Sequence, residues 1–226
     1  WCLRARFRRL RFSTRSRAVP TPRSLRELLH GLEVLGQRGS LDVPVARVEA
    51  DSRRIEPGDL FVCLPGYRSE GGEARADRHD FIPEALQRGA AAVVVQREVE
   101  VPEGPTVVRL ADTWHALAAL SAAQHEHPAR RMLAVGVTGT SGKTSTTYLI
   151  DSVLARAGHR TARLGTIEHK VGEELLAANQ TTPEAHELQA LLRRAADAGV
   201  SAVVMEVSSH ALELRRVAAI EYDVAV

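Results

Sequence analysis

The stretch GVTGTSGKTSTTYLI, Gly136 to Ile150, constrains the fold more than any other part of the chain. It follows the apolar MLAV and leads into a run that reads as helix. A loop that leaves a strand and opens a helix presents unpaired backbone N–H groups to an anion. Gly139 and Gly142 let the backbone close round phosphate oxygens, Lys143 can reach β- and γ-phosphates, and Thr144 can place its hydroxyl on Mg²⁺. The spacing departs from G-x-x-x-x-G-K-S/T, which needs glycine at position 137. Val137 stands there, and Gly136 is one place early. The chain has two lysines against 28 arginines. A lysine at this position, in a composition that favours arginine, fits a site that wants a compact point charge. The plainer reading is a glycine-rich structural turn.

A strand–loop–helix unit belongs in a parallel sheet, and the surrounding chain supports one. Downstream, KTSTTYLIDSVLARAG reads as a helix stopped by Gly158, TARLGTI as a strand, and VGEELLAANQTTP as irregular. EAHELQALLRRAADAG then reads as a helix with Leu188, Leu191 and Leu192 on one face. VSAVVMEVS is apolar without alternation, a strand buried on both faces, and YDVAV begins another. Upstream, SLRELLHGL carries a capping box of Ser24 and Glu27. PVARVEADSRR and GDLFVCLPG read as short strands joined by a turn at Pro57-Gly58. DFIPEALQRGA is a short helix closed by Gly89, AAVVVQ and PTVVRL are strands, and DTWHALAALSAAQHEHP is a helix. The expected class is α/β: a small α/β domain over residues 24–128, then a phosphate-loop, parallel-sheet domain over 129–226, truncated at its C-terminal end.

Charge sets the first residues apart. The net charge of +2 hides eight arginines and no acid in residues 1–24, against 22 basic and 28 acidic residues in the rest. Residues 1–23 are expected to be a disordered basic tail. A nucleic-acid arm and a transit peptide are the other readings. Nothing after Pro22 supports a nucleic-acid fold, so no nucleic-acid partner is expected. No run is long and apolar enough to span a bilayer, so the expectation is a soluble, cytoplasmic protein without a membrane partner. The two cysteines, Cys2 and Cys63, form neither a disulfide framework nor a zinc pattern, and Cys63 reads as a buried small hydrophobe.

Three further stretches narrow the chemistry: QTTPE (Gln180–Glu184), MEVSSHAL (Met205–Leu212) and DSRRIEPGDLFVCLPG (Asp51–Gly66). With GVTGTSGKTS they resemble the Mur ligases, most closely the MurE type, over roughly residues 24–226. In that family the loop has the form TGT-x-GKT, which accounts for the displaced glycine. The resemblance implies ATP-driven amide formation that adds a third amino acid, diaminopimelate or lysine, to UDP-N-acetylmuramoyl-L-alanyl-D-glutamate. A carboxylate of the peptide would attack the γ-phosphate of ATP, giving an acyl phosphate, and the incoming amine would displace phosphate.

The resemblance assigns roles to named positions. Gly139, Thr140, Ser141, Gly142, Lys143, Thr144 and Ser145 would bind the nucleotide. Lys143 and Glu206 are the candidate catalytic groups, with Thr144 and Glu206 as ligands of Mg²⁺. Glu206 ends a buried strand at the crevice side of a parallel sheet, where a carboxylate needs a cation or hydrogen-bond partners. Capping of the following turn is the alternative. Thr181, Thr182, Ser208 and Arg216 would hold the muramoyl dipeptide, the Arg216 fork taking two oxygens. Ser52 and the turn Gly66, Tyr67, Arg68 and Ser69 would bind the uridine diphosphate end. Gln180 and Ser141 depart from the asparagines frequent in the family, and the loop after Arg68 is longer than usual. His210 reads as a structural histidine and Lys170 as a solvated surface charge. In the family, a metal-binding histidine, a carbamylated lysine and a C-terminal domain follow, so this chain is expected to be an incomplete, inactive piece, with a monomer favoured. The rival readings are another ligase of the superfamily, such as a folylpolyglutamate-synthase-like enzyme, and a non-catalytic nucleotide-binding module.

Overall fold

The computed structural model describes residues 22–68 and 74–226. They form two open α/β sheets in series, and each sheet has its own core. The first has five strands in the order Val34–Arg38, Thr106–Leu110, Ala92–Val95, Leu60–Val62, Val48–Glu49. All neighbours are parallel except Val34–Arg38, which runs antiparallel to Thr106–Leu110. The two strands on either side of Pro57-Gly58 are therefore not a hairpin: Val48 pairs with Leu60 in parallel. Parallel strands need a crossover, and the DSR segment supplies it as a one-turn 3₁₀ helix, Ser52–Arg54, with Asp51 accepting from the Arg53 N–H. The helix Thr113–Gln124, capped by Asp112, covers one face through Leu117 and Leu120. Ile82–Gln87 covers the other, where Phe61, Val93 and the buried thiol Cys63 pack.

The capping box at Ser24 and Glu27 forms as the sequence predicts. Arg23, which composition assigned to the tail, pairs with Val45 in a short antiparallel ladder and meets Glu126 at 3.1 Å. The rest of that tail, through residue 21, lies outside the described residues, as does Ser69.

The second sheet has six strands in the order Glu174–Ala177, Glu168–Val171, Thr161–Leu164, Ala202–Glu206, Leu133–Val137, Val224–Ala225. The last four run parallel. The segment read as irregular is instead an antiparallel hairpin turning at Gly172, whose φ of 58° suits glycine. Lys170 is on that hairpin and is not a solvated charge: its ammonium meets the buried Asp151 at 3.0 Å, and Arg163 meets the same carboxylate at 2.8 Å. The helices Lys143–Arg156 and Ala185–Asp197 flank the sheet, the latter burying Leu188 and Leu192. Val224–Ala225 pairs with Val135–Gly136. Just before it, Tyr222 lies over Gly136, where an added Cβ would come within 2.9 Å of the ring. Gly136 is thus a packing glycine of the strand, and the glycines of the loop begin at Gly139.

The two sheets meet through the helices Thr113–Gln124 and Ala185–Asp197, with Ala185 and Ala219 packed on the first core. Ion pairs extend this apolar seam: Arg54 to Glu187 at 2.6 Å, Arg75 to Glu184 at 2.7 Å and Arg193 to Glu126 at 2.9 Å. Among the described residues no helix is long and apolar enough to cross a membrane.

Candidate functional site

The strand Leu133–Val137 ends in the exposed turn Thr138–Gly142, and Gly142 opens the helix Lys143–Arg156 with φ 84°. No side chain caps that helix, so its first N–H groups face the turn unpaired, the arrangement that suits an anion. The Lys143 ammonium folds back onto the Gly139 carbonyl at 2.5 Å, across the concavity it would share with a phosphate.

Behind the turn stands Glu206, the last residue of its strand and 1% exposed. One carboxylate oxygen accepts from the Thr144 hydroxyl at 3.1 Å and the Thr166 hydroxyl at 3.2 Å. The other accepts from the Thr166 backbone N–H at 3.0 Å. Among the described residues no lysine, arginine or histidine lies within salt-bridge distance of it. A buried carboxyl group held only by neutral donors has no cationic partner of its own, and a cation is what such a group pairs with. With Thr144 it gives two oxygen donors, a set that suits a hard cation completing its shell with water and phosphate. No group of three or more His, Cys, Asp or Glu that could hold a metal alone occurs among the described residues. The Glu206 side chain does not cap the next turn. Ser208 does that, accepting from the Ala211 N–H at 3.1 Å.

Sequence reasoning missed two residues here. A Cβ on Gly165 would lie 2.3 Å from a Glu206 oxygen, so only glycine lets that carboxylate sit against the backbone. Thr166, next to it, supplies two of the three donors. The signal was present in LGTI after a buried strand, but it carries no motif.

From Glu206 a hydrogen-bond chain runs away from the loop. The Thr166 hydroxyl also lies 3.0 Å from the Thr181 hydroxyl, from which it can accept. Thr182 donates to the Glu206 carbonyl at 2.8 Å and accepts from the Ser208 N–H at 3.2 Å. Arg216 donates to the Thr182 carbonyl at 2.9 Å and the Gln180 side chain at 2.8 Å. Thr181, Thr182, Ser208 and Arg216 are therefore gathered on the loop's side of the second sheet.

The residues expected at the uridine end are not gathered in the same way. Ser52 is buried and donates to Glu84 at 2.7 Å. Gly66 packs against the backbone of Arg75 and Asp77. Tyr67 reaches across to the second sheet, donating to Glu213 at 2.6 Å, with its ring edge-on to His210 at 5.2 Å between centroids. Burial, with Arg216 and Arg75 nearby, holds the His210 imidazole below its usual value.

Between the units lies a polar crevice lined by Asp51, Arg54, Arg75, Arg78, Glu184 and His186, among others. Glu49, at its first-sheet wall, is 4% exposed. Burial pushes its carboxyl up, but His186 at 3.0 Å, Arg54 at 3.2 Å and the Asp51 N–H outweigh this and bring it down to about 2. Burial likewise pushes Glu184 up, and Arg216 and Arg75 bring it below the usual carboxylate range.

Two family models match the chain: "Mur ligase middle domain" over residues 137–226 and "Mur ligase family, catalytic domain" over 44–132. The chain belongs to the Mur ligase family. The UDP-N-acetylmuramoyl-L-alanyl-D-glutamate–2,6-diaminopimelate ligase of Clostridium perfringens is 40% identical over 199 residues, 88% of this chain and 40% of that protein. The ligase of that name from Geobacter sulfurreducens is 43% identical over 202 residues, 89% of this chain and 38% of that protein. A solved structure of a ligase of that name matches with a TM-score of 0.72 and 26% identity, covering 90% of this chain and 39% of that one. A MurF from Acinetobacter baumannii shares the fold at a TM-score of 0.53. This Mur ligase chain thus spans about 40% of the length of the curated relatives it matches.

Proposed function

We propose that this chain is the nucleotide-activating part of an ATP-dependent ligase. The ligase adds a third amino acid, diaminopimelate or lysine, to UDP-N-acetylmuramoyl-L-alanyl-D-glutamate in peptidoglycan precursor synthesis. The observation that carries this reading is Glu206: a buried carboxylate, bonded only to neutral donors, 3.1 Å from the Thr144 hydroxyl at the mouth of the phosphate loop. Kinship with ligases named for that reaction and diaminopimelate supports the substrate class.

In this reading the loop's backbone N–H groups and Lys143 hold the β- and γ-phosphates. That arrangement favours charge building on the transferring phosphoryl group. Thr144 and Glu206 would hold the Mg²⁺, which when bound would offset phosphate charge and polarise the γ-phosphoryl group. Thr166 and Gly165 fix the Glu206 carboxylate against the backbone, so its two oxygens cannot rotate away from the loop. Thr181, Thr182, Ser208 and Arg216 orient the peptide carboxylate that attacks, because their chain of hydrogen bonds ends on the Glu206 carbonyl. The amine-binding side of the site is outside this set.

The test is a product assay on this chain completed to the length of its relatives, with ATP, Mg²⁺, the UDP-linked dipeptide and either diaminopimelate or lysine. ADP and tripeptide in equal amounts are expected, both lost in Glu206→Gln at ordinary Mg²⁺. Tripeptide formation at full rate by Glu206→Gln would remove the carboxylate from the mechanism. ATP turnover with a folate but not with the UDP-linked dipeptide would favour the folylpolyglutamate-type reading.

A further inference from the structure

Arg163 stands on the inner strand Thr161–Leu164 of the second sheet and is 6% exposed. A charge in such a place needs partners that offset its lost hydration. It has three, on two elements. One guanidinium nitrogen donates to Asp151 at 2.8 Å and the other to Glu168 at 2.7 Å. The guanidinium carbon lies 3.4 Å from the centre of the Tyr148 ring. Asp151 and Tyr148 belong to the helix Lys143–Arg156, which carries Thr144 one turn before Tyr148. Glu168 opens the strand Glu168–Val171, two positions after Thr166. Thr144 and Thr166 supply the two hydroxyls on one oxygen of Glu206, at 3.1 Å and 3.2 Å. One guanidinium therefore ties together the two segments that grip the Glu206 carboxylate.

Among the described residues this cluster is balanced, Arg163 and Lys170 against Asp151 and Glu168, so it holds no surplus charge for a ligand. Lys170 donates to Asp151 at 3.0 Å and to Thr161 at 3.1 Å, at the far end of the strand from Thr166. Burial pushes the Asp151 carboxyl up, but Thr161, Lys170 and Arg163 bring it below its usual value. Apolar side chains fill a buried space at least as well as an ion pair, so stability alone does not account for the arginine. What its rigid fork adds is a fixed geometry between two carboxylates. We propose that Arg163 is a positioning residue: by bridging Asp151 and Glu168 it sets the spacing of Thr144 and Glu206, the oxygen pair that would hold Mg²⁺. The inference rests on the ligase reading and deepens it. Arg163 touches neither nucleotide nor metal in this role; it acts through the helix and through the backbone of residues 165–167.

Calorimetry of ADP on this chain at a series of Mg²⁺ concentrations tests the proposal, on the parent and on Arg163→Lys, Glu168→Ala and Lys170→Gln. Lysine keeps the charge but is a single point, which cannot span two carboxylates as the fork does. Glu168 is partly exposed, so Glu168→Ala keeps the test intact if Arg163→Lys fails to fold. Both variants should need about tenfold more Mg²⁺ to reach the parent's gain in ADP affinity, the usual cost of losing an outer partner of a metal site. Affinity for ADP without Mg²⁺ should match the parent, which separates positioning from a general loosening of the loop. Lys170→Gln is the control: it should lower the thermal midpoint and leave the Mg²⁺ dependence as it is. Parent-like Mg²⁺ dependence in the folded variants overturns the proposal. An equal shift in Lys170→Gln also overturns it, because the cluster would then act through stability alone. If Mg²⁺ does not strengthen ADP binding even in the parent, the metal part of the ligase reading falls, and amide exchange decides the positioning role by itself. The Thr166 N–H donates to Glu206 at 3.0 Å, so its exchange reports where that carboxylate sits. Faster exchange at Thr166 in Arg163→Lys and Glu168→Ala, but not in Lys170→Gln, keeps the role; exchange equal to the parent overturns it.

Discussion

Around Glu206 every partner of the carboxylate is a hydroxyl or a backbone N–H; around Glu184 every partner is a guanidinium. Both carboxylates are buried; Glu206 ends the strand Ala202–Glu206, and Glu184 precedes the helix Ala185–Asp197. The neutral shell orients the Glu206 side chain and places no cationic side chain against it among the described residues. The guanidinium shell pairs Glu184 with positive charge. Two buried carboxylates a few residues apart in the hydrogen-bond chain Glu206–Thr182–Arg216–Glu184 thus sit in shells of opposite character.

The comparison breaks first at Lys143. In a ligase completed to the length of its relatives, Lys143→Ala should lower turnover by on the order of 10²–10³-fold. Steady-state kinetics check this, and a large KM effect with unchanged turnover would remove Lys143 from the phosphoryl-transfer step. Next comes Gly165→Ala. Its Cβ would displace the Glu206 carboxylate, and a shift of this kind should reduce turnover about 10²-fold while the chain stays folded. Unchanged turnover with unchanged Mg²⁺ dependence would show that the position of Glu206 is not critical.

Acid sharpens the comparison from the other side. The Glu49 carboxyl is depressed from 4.5 to about 2 in the folded chain. Its contribution is therefore present above pH ~4.5 and lost as pH falls toward 2, about 3 kcal/mol in all. Denaturant titrations across that window should show the loss, and Glu49→Gln should flatten it. A pH profile identical in Glu49→Gln would place the acid sensitivity elsewhere. The smallest effect is expected at Tyr67→Phe, which removes one exposed hydrogen bond to Glu213 across the units. The thermal midpoint should move by under about one degree. A drop of several degrees would make that contact a clamp between the units and not a rim contact.

Contiguous chemistry was legible in the sequence. The turn Thr138–Gly142, Lys143 and Thr144 are adjacent, so backbone geometry alone fixes their relation. The capping box at Ser24 and the 3.6-residue periodicity of Ala185–Asp197 are local in the same sense. Glu206 was readable because an acid ending an uninterrupted apolar strand contradicts its surroundings. The sequence misplaced what depends on weak or distant signals. Val34–Arg38 is an edge strand with mostly exposed side chains, so no alternation marked it. The hairpin through Gly172 read as irregular because its outer strand is largely exposed. Lys170 read as solvated because its partner Asp151 is 19 positions away.

What the chain determined by itself is therefore the glycine turn that opens a helix, the parallel sheet that presents it and the buried carboxylate behind it, since each is written within a single strand–turn–helix unit or a single apolar run. What only tertiary structure decided is the electrostatics of the crevice. Arg54 meets Glu187 across 133 positions, Arg75 meets Glu184 across 109 and Arg216 meets Glu184 across 32. Arg54, Arg75 and Glu187 each read alone as an ordinary surface charge, and Arg216 stood out only through the resemblance. Folding brings them together and removes water from around them, and in that drier setting their number and sign decide what can bind.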